Sequence, residues 1–172
     1  LGELGPGPYV GIGWHAGSKK TNTIERSFKL SRFEPIIRQG GTFVSLQYLY
    51  EDGKCQRFHE NTGLTIHHWP EVVEPGPDGN RNPGYNYDET AALVEALDLV
   101  IAPNTTVVHL CGALGKRCWS LTPDACAWRY GRKHWTMPMY GEWVELFREW
   151  GDWDKAFVEL GKHYDIFLRA AR

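Results

Sequence analysis

Residues 98–115, DLVIAPNTTVVHLCGALG, hold the side chains best spaced for chemistry in this chain. Leu99, Val100, Ile101 and Ala102 suit a buried strand; Pro103 and Asn104 make a turn, and an apolar segment then runs to Gly115. A helix that starts directly after a strand aims its unpaired N–H groups and the positive end of its dipole into the crevice beyond the strand, where an anion is favoured. Asn104 is the expected N-cap, and Thr105 and Thr106 add hydroxyl donors in the first turn. His109 follows Thr105 by four residues and so shares its face. The same residues would also serve a plain cap and a core histidine with no ligand.

A second set lies after the first strand. Residues 9–14 (YVGIGW) predict that strand, with Gly11 and Gly13 marking close approach by other backbone or by a ligand. Residues 15–22 (HAGSKKTN) follow as a small, basic loop, where an open α/β sheet binds its ligands, so Lys19 or Lys20 could neutralise a phosphate. Two solvated loop lysines are the alternative. Gln47 falls near the end of a second predicted strand, residues 42–48, and could hydrogen-bond a ligand or satisfy a loop.

The elements needed to position these residues alternate along the chain. Residues 30–39 predict a short helix with Ser31 as its cap, 64–69 a weaker third strand, and 88–97 a helix capped by Asp88. Residues 70–87 contain four prolines and three glycines and predict a long surface loop. A strand at 117–122, a loop-like aromatic stretch at 123–143, a short strand at 144–148 and a helix over 154–171 complete the order. That last helix has Ala156, Phe157, Leu160, His163, Tyr164, Phe167 and Leu168 as its apolar face. Strand-helix alternation predicts an α/β fold, a Rossmann-like three-layer α/β/α domain with a mostly parallel sheet.

Composition narrows the function classes. A chain of 172 residues fits one domain, and a net charge of −2 without a basic run makes nucleic acid and anionic membranes poor partners. No apolar run approaches the ~20 residues of a membrane span, and no signal-peptide pattern opens the chain, so a soluble cytoplasmic protein is expected. Cys55, Cys111, Cys118 and Cys126 are read as free thiols, and neither they nor His59, His67 and His68 show metal-site spacing, so no metal is expected. No Gly-rich dinucleotide or Walker motif is present.

The series VGIGWHAG, RSFKL, FVSLQ, DETAALVEALDLVIAPNTTVVHLCGALGKRCWSLTP, WRYG, HW, ELFRE and GDWDKA resembles the C-terminal domain of GT-B glycosyltransferases. The likeness is to bacterial TPR-linked and heptosyltransferase-like (family 9-like) members and, distantly, to O-GlcNAc transferases. It runs from Tyr9 to the end, which makes residues 1–8 a linker and 9–172 a nucleotide-sugar-binding domain.

The resemblance implies a donor site, with no cofactor beyond a nucleoside diphosphate sugar. Asn104, Thr105, Thr106 and His109 would meet its diphosphate or ribose, Lys19 or Lys20 its phosphates, and Trp14, His15 and Gln47 would line the donor pocket. Family members often carry Asp-Thr where Asn104-Thr105 stand here, which removes a negative charge beside the diphosphate. The acceptor and the catalytic base would belong to an N-terminal domain, preceded by TPR repeats, that this chain does not contain. The last helix would cross back to that domain. A degenerate domain kept as a protein-interaction module, with Trp128 or Trp135 in an interface, is the alternative; an epimerase would need a carboxylate pair that is not evident.

Overall fold

The computed structural model describes residues 2–16, 23–48, 53–73, 87–132, 134–148 and 151–171. Seven strands form one sheet: β1 Tyr9–Ile12, β2 Thr42–Ser45, β3 Ile66–His67, β4 Leu99–Pro103, β5 Cys118–Thr122, β6 Thr136–Met137 and β7 Gly141–Arg148. Their spatial order is β3-β2-β1-β4-β5-β7-β6, and every pairing is parallel except β6 with β7. The helices are α1 Glu34–Ile37, α2 Lys54–Thr62, α3 Pro70–Val73, α4 Tyr87–Glu95, α5 Thr106–Leu114 and α6 Trp153–Ala170. The mostly parallel α/β class expected from the sequence is the class observed.

Alternation along the strands divides the core into two layers. Ile12, Phe43, Leu99 and Ile101 face α6 and its buried Leu160, Tyr164 and Leu168, together with α1 and Phe58 of α2. Val44, Leu46, Val100 and Ala102 face the other way, against Val73 of α3, Val94 of α4, and Val107, Val108 and Cys111 of α5. Both faces of the sheet are covered, as a parallel sheet requires.

Several local expectations need correction. The helix expected over 30–39 is a 3-10 turn, Leu30–Phe33, running into α1; Lys29 precedes it and no side chain caps it, so Ser31 is not a cap. Pro35, at the second position of α1, costs no hydrogen bond there. Asp88 lies inside the first turn of α4 instead of capping it, because the helix begins at Tyr87. Part of the expected 70–87 loop is helical, since Pro70 opens α3; residues 74–86 lie outside the described residues. Helix α2 forms where the sequence predicts no element: KCQRFHENT is mostly polar and buries only Cys55 and Phe58. The last strand is longer than expected, and β6 pairs with it through a tight turn within a stretch expected to be loop.

Helix α6 follows its sequence closely. Asp152 caps it, its carboxylate accepting from the backbone N–H groups of Asp154 at 3.0 Å and Lys155 at 3.2 Å. Those bonds hold the Asp152 carboxyl below its usual range, chiefly through the Lys155 N–H. Ala156, Leu160, Tyr164 and Leu168 are its buried stripe, while His163, expected on that face, is exposed and lays its ring edge-on to Phe147 at 5.1 Å.

Candidate functional site

The strand order reverses between β1 and β4, and the crevice beyond the carboxyl ends of two such strands is where open α/β sheets bind ligands. Trp14 and His15 leave β1 there, and Asn104 and Thr105 leave β4. Backbone hydrogen bonds fix the edges of the crevice: Gly13 N donates to Ile101 O at 2.9 Å, and Leu46 N to Ile12 O at 2.9 Å.

Helix α5 starts in this crevice, with Thr105 as its N-cap in extended conformation (φ −130°) and with no cap bond from the Thr105 side chain. Thr105 is half-buried and Thr106 exposed. The helix stops at Gly115 because φ there is +68°, which glycine adopts without strain; Lys116 N then donates to Cys111 O at 2.8 Å in a Schellman arrangement.

Asn104 is therefore not the cap. Its side chain is buried beneath the helix start, where Oδ1 accepts from Ser120 Oγ at 2.7 Å and Thr122 Oγ1 at 2.9 Å, tying β4 to β5. Nδ2 is buried with no hydrogen-bond partner among the described residues. An orphaned buried amide of this kind is rare in native folds and marks the position as constrained by something other than capping.

Of the two roles open to Gln47, a ligand contact or satisfying a loop, its hydrogen bonds go to the loop. Its Oε1 accepts from the N–H groups of Trp14 at 3.0 Å and His15 at 2.8 Å, and its Nε2 donates to the carbonyls of His15 at 3.0 Å and of Tyr48. The amide clamps the turn after β1. Trp14 is 1% exposed and belongs to the core, so among the three expected donor-pocket residues only His15 keeps a partly exposed side chain. Lys19 and Lys20 lie outside the described residues.

Basic groups reach the site from two other places that the sequence did not single out. Arg26, in the short 3-10 turn Ile24–Arg26, donates from Nη1 to the carbonyl oxygen of Asn104 at 2.5 Å, bridging the loop after β1 to the start of α5. Arg129, in the 3-10 turn Trp128–Tyr130, donates from Nε to His109 Nε2 at 3.3 Å. Both guanidinium groups act on Tyr130, whose phenol is nonetheless pushed above its usual range because burial outweighs them. The available signals were the RSFKL and WRYG segments; neither shows which of its residues faces a ligand until the loops are folded.

His109 lies between two tyrosine rings, each with its centroid 5.8 Å away. Nδ1 meets Tyr140 Oη at 3.3 Å, and Nε2 meets Tyr130 Oη at 3.2 Å in addition to Arg129. Burial lowers its pKa, and the Arg129 guanidinium lowers it further. His68, beside β3, is lowered by burial against an opposing pull from Glu71.

A histidine whose folded pKa lies below its unfolded value takes up a proton more readily on unfolding. Its contribution to stability is complete above the unfolded value near 6.5 and is lost as pH falls through the folded pKa. Urea midpoints are expected to fall between pH 7.5 and pH 5, by less in a His109→Gln, His68→Gln double variant. Equal pH dependence in the two proteins would show that other groups cause it.

Among the described residues no group of three or more His, Cys, Asp or Glu side chains is placed to hold a metal ion, and no helix is long and apolar enough to cross a membrane. Cys111 and Cys118 are buried neighbours, and the contact with Cys111, with burial, drives the Cys118 thiol far up.

No protein-family model matches the chain. It is 34% identical over 165 residues to Protein FlbA of Caulobacter vibrioides, an alignment that covers 90% of this chain and 24% of that protein. The chain thus spans about a quarter of the length of this curated relative. Among solved structures it is similar to the glycosyl transferase family 9 protein of Veillonella parvula, with a TM-score of 0.54 and 15% identity over 90% of this chain and 40% of the other. At that identity the likeness speaks for the fold alone: the chain has the Rossmann-like α/β architecture of part of a family 9 glycosyltransferase.

Proposed function

We propose that this chain is the nucleotide-sugar donor-binding domain of a glycosyltransferase. The observation that carries the proposal is that two arginines from separate loops reach the start of α5, where the strand order reverses: Arg26 bonds the carbonyl of Asn104 just before the helix, Arg129 bonds His109 in its first turn, and both act on Tyr130. A nucleoside diphosphate matches that arrangement. Its phosphates are stabilised by the N–H groups and dipole of the helix start, by the hydroxyls of Thr105 and Thr106, and by two guanidinium groups that can bind oxygens in pairs.

Arg26 adds a second basic group to the phosphate role that the sequence offers Lys19 or Lys20, which lie outside the described residues. Transfer of the sugar requires an acceptor site and a base from an N-terminal domain, with TPR repeats as a further neighbour in the complete protein. The same phosphate contacts would stabilise the departing diphosphate during transfer. A cytoplasmic setting accords with its four free thiols.

Calorimetric titration with UDP, GDP and ADP tests this. At least one is expected to bind, and Arg26→Ala should weaken it by roughly tenfold, the worth of a charge-assisted contact. Thr105→Ala should weaken it less. Absence of binding by all three nucleotides would sink the proposal.

One observation favours a second reading, a domain retained for protein interaction. Trp128 is 87% exposed and Trp135 is 70% exposed, and large aromatic side chains so placed are common anchors of interfaces. In that case nucleotides leave the melting temperature unchanged, and replacing both tryptophans abolishes partner capture without altering stability.

A further inference from the structure

Both ring nitrogens of His109 are already engaged by protein groups. Arg129 Nε can only donate, so His109 Nε2 must accept, and the ring proton of the neutral imidazole must reside on Nδ1, directed at Tyr140 Oη. We propose that His109 is a positioning residue and not a ligand of the donor: Tyr140 Oη supports the Nδ1–H form by accepting its hydrogen bond, and Nε2 thereby holds Arg129 at the first turn of α5.

The packing supports a fixed Tyr140. Its ring lies on the backbone of Gly112, one turn beyond His109, so closely that a Cβ at Gly112 would sit 2.3 Å from Tyr140 Cγ. Only glycine leaves room for the ring, and with the ring seated the phenol reaches Nδ1. The relay therefore runs from the β6–β7 turn, across one face of α5, to the turn that carries Arg129 and Tyr130.

A proton on Nε2 reverses this contact. The nitrogen that accepted from Arg129 becomes a donor on a cation, and the two positive groups repel. The titratable and charged described groups facing His109 are Tyr140 from the β6–β7 turn and Arg129 and Tyr130 from the 3-10 turn, with Arg26 acting on Tyr130 from the loop after β1. None of these is a carboxylate that would hold the imidazolium in place. Arg129 is thus held at neutral pH and released on acidification. The purpose given to Arg129, aiming at phosphate, rests on the nucleotide reading above; the relay itself does not.

Nitrogen NMR of the whole chain, without ligand, decides the matter. In the wild type His109 is expected to show an unprotonated Nε2 and a protonated Nδ1. The Arg129 Nε–H should be protected from exchange at pH 7.5, losing protection as His109 titrates with a midpoint below 6.5. Tyr140→Phe keeps the ring over Gly112 but removes the acceptor. It should shift His109 toward the Nε2–H form and cut Arg129 protection by roughly fivefold or more, the worth of one hydrogen bond. Unchanged amide spectra away from the site exclude general unfolding.

A wild-type His109 protonated on Nε2, or full Arg129 protection in Tyr140→Phe, overturns the relay. The relay signature with no UDP binding supports the relay and overturns only the nucleotide reading.

Discussion

Replacing Arg148 with alanine is expected to lower the unfolding free energy by about 3 kcal/mol, near the upper end for a single side chain. Arg148 ends β7 and is 4% exposed. Its guanidinium donates from Nη2 to Tyr130 O at 2.7 Å and Gly131 O at 2.6 Å, from Nε to His134 O at 3.2 Å, and from Nη1 to Cys126 Sγ at 3.5 Å. Truncation leaves buried carbonyl oxygens without donors, and each orphaned group costs on the order of 1 kcal/mol or more. Lysine keeps the charge without the planar fork and should recover only part of the loss.

The same contacts hold the 3-10 turn that carries Arg129 and Tyr130, so Arg148→Ala should also weaken the proposed nucleotide binding although its side chain lies below the surface. Urea denaturation measures the first effect and calorimetry the second. A loss under about 1 kcal/mol would mean that the turn is held by other contacts.

Valine in place of Gly11 should cost about 3 kcal/mol through overpacking. Gly11 lies mid-strand in β1, between β2 and β4, and a Cβ there would come 2.6 Å from both Leu46 Cδ1 and Leu97 Cδ1, and 3.1 Å from Leu46 Cγ. Neither leucine has space to withdraw, since Leu46 is 4% and Leu97 2% exposed within the second core layer. Alanine should cost less, because its smaller clash is offset in part by the roughly 0.5–1 kcal/mol gained by removing glycine from a strand. Thermal unfolding of the two variants tests the order: a Gly11→Val protein as stable as the wild type would show that the sheet can spread locally. Gly13 differs, since a Cβ there meets Ala102 Cβ at an ordinary 3.4 Å.

The two glycines illustrate what the sequence expresses and what it withholds. Glycine within a strand pattern signals close approach, and at Gly11 the approach is real, yet its source is a pair of core leucines from residues 46 and 97 rather than a ligand. The identity of a neighbour is a long-range fact. Asn104 shows the same limit, because its composition and place suggest a cap, while the burial that turns it toward Ser120 and Thr122 depends on β5 lying beside β4.

Local periodicity determined the parallel α/β class, the position of α5 after β4, and the buried stripe of α6, because each depends on side-chain spacing within a single element. Tertiary structure alone decided the composition of the candidate site. Gln47 is spent on the turn after β1 and Trp14 on the core, whereas Arg26 reaches Asn104 from 78 residues away in the chain and Arg129 reaches His109 of α5 from 20 residues away. A charged side chain in an irregular loop carries no periodic signal, so only the closure of the sheet reveals which of many arginines faces the crevice.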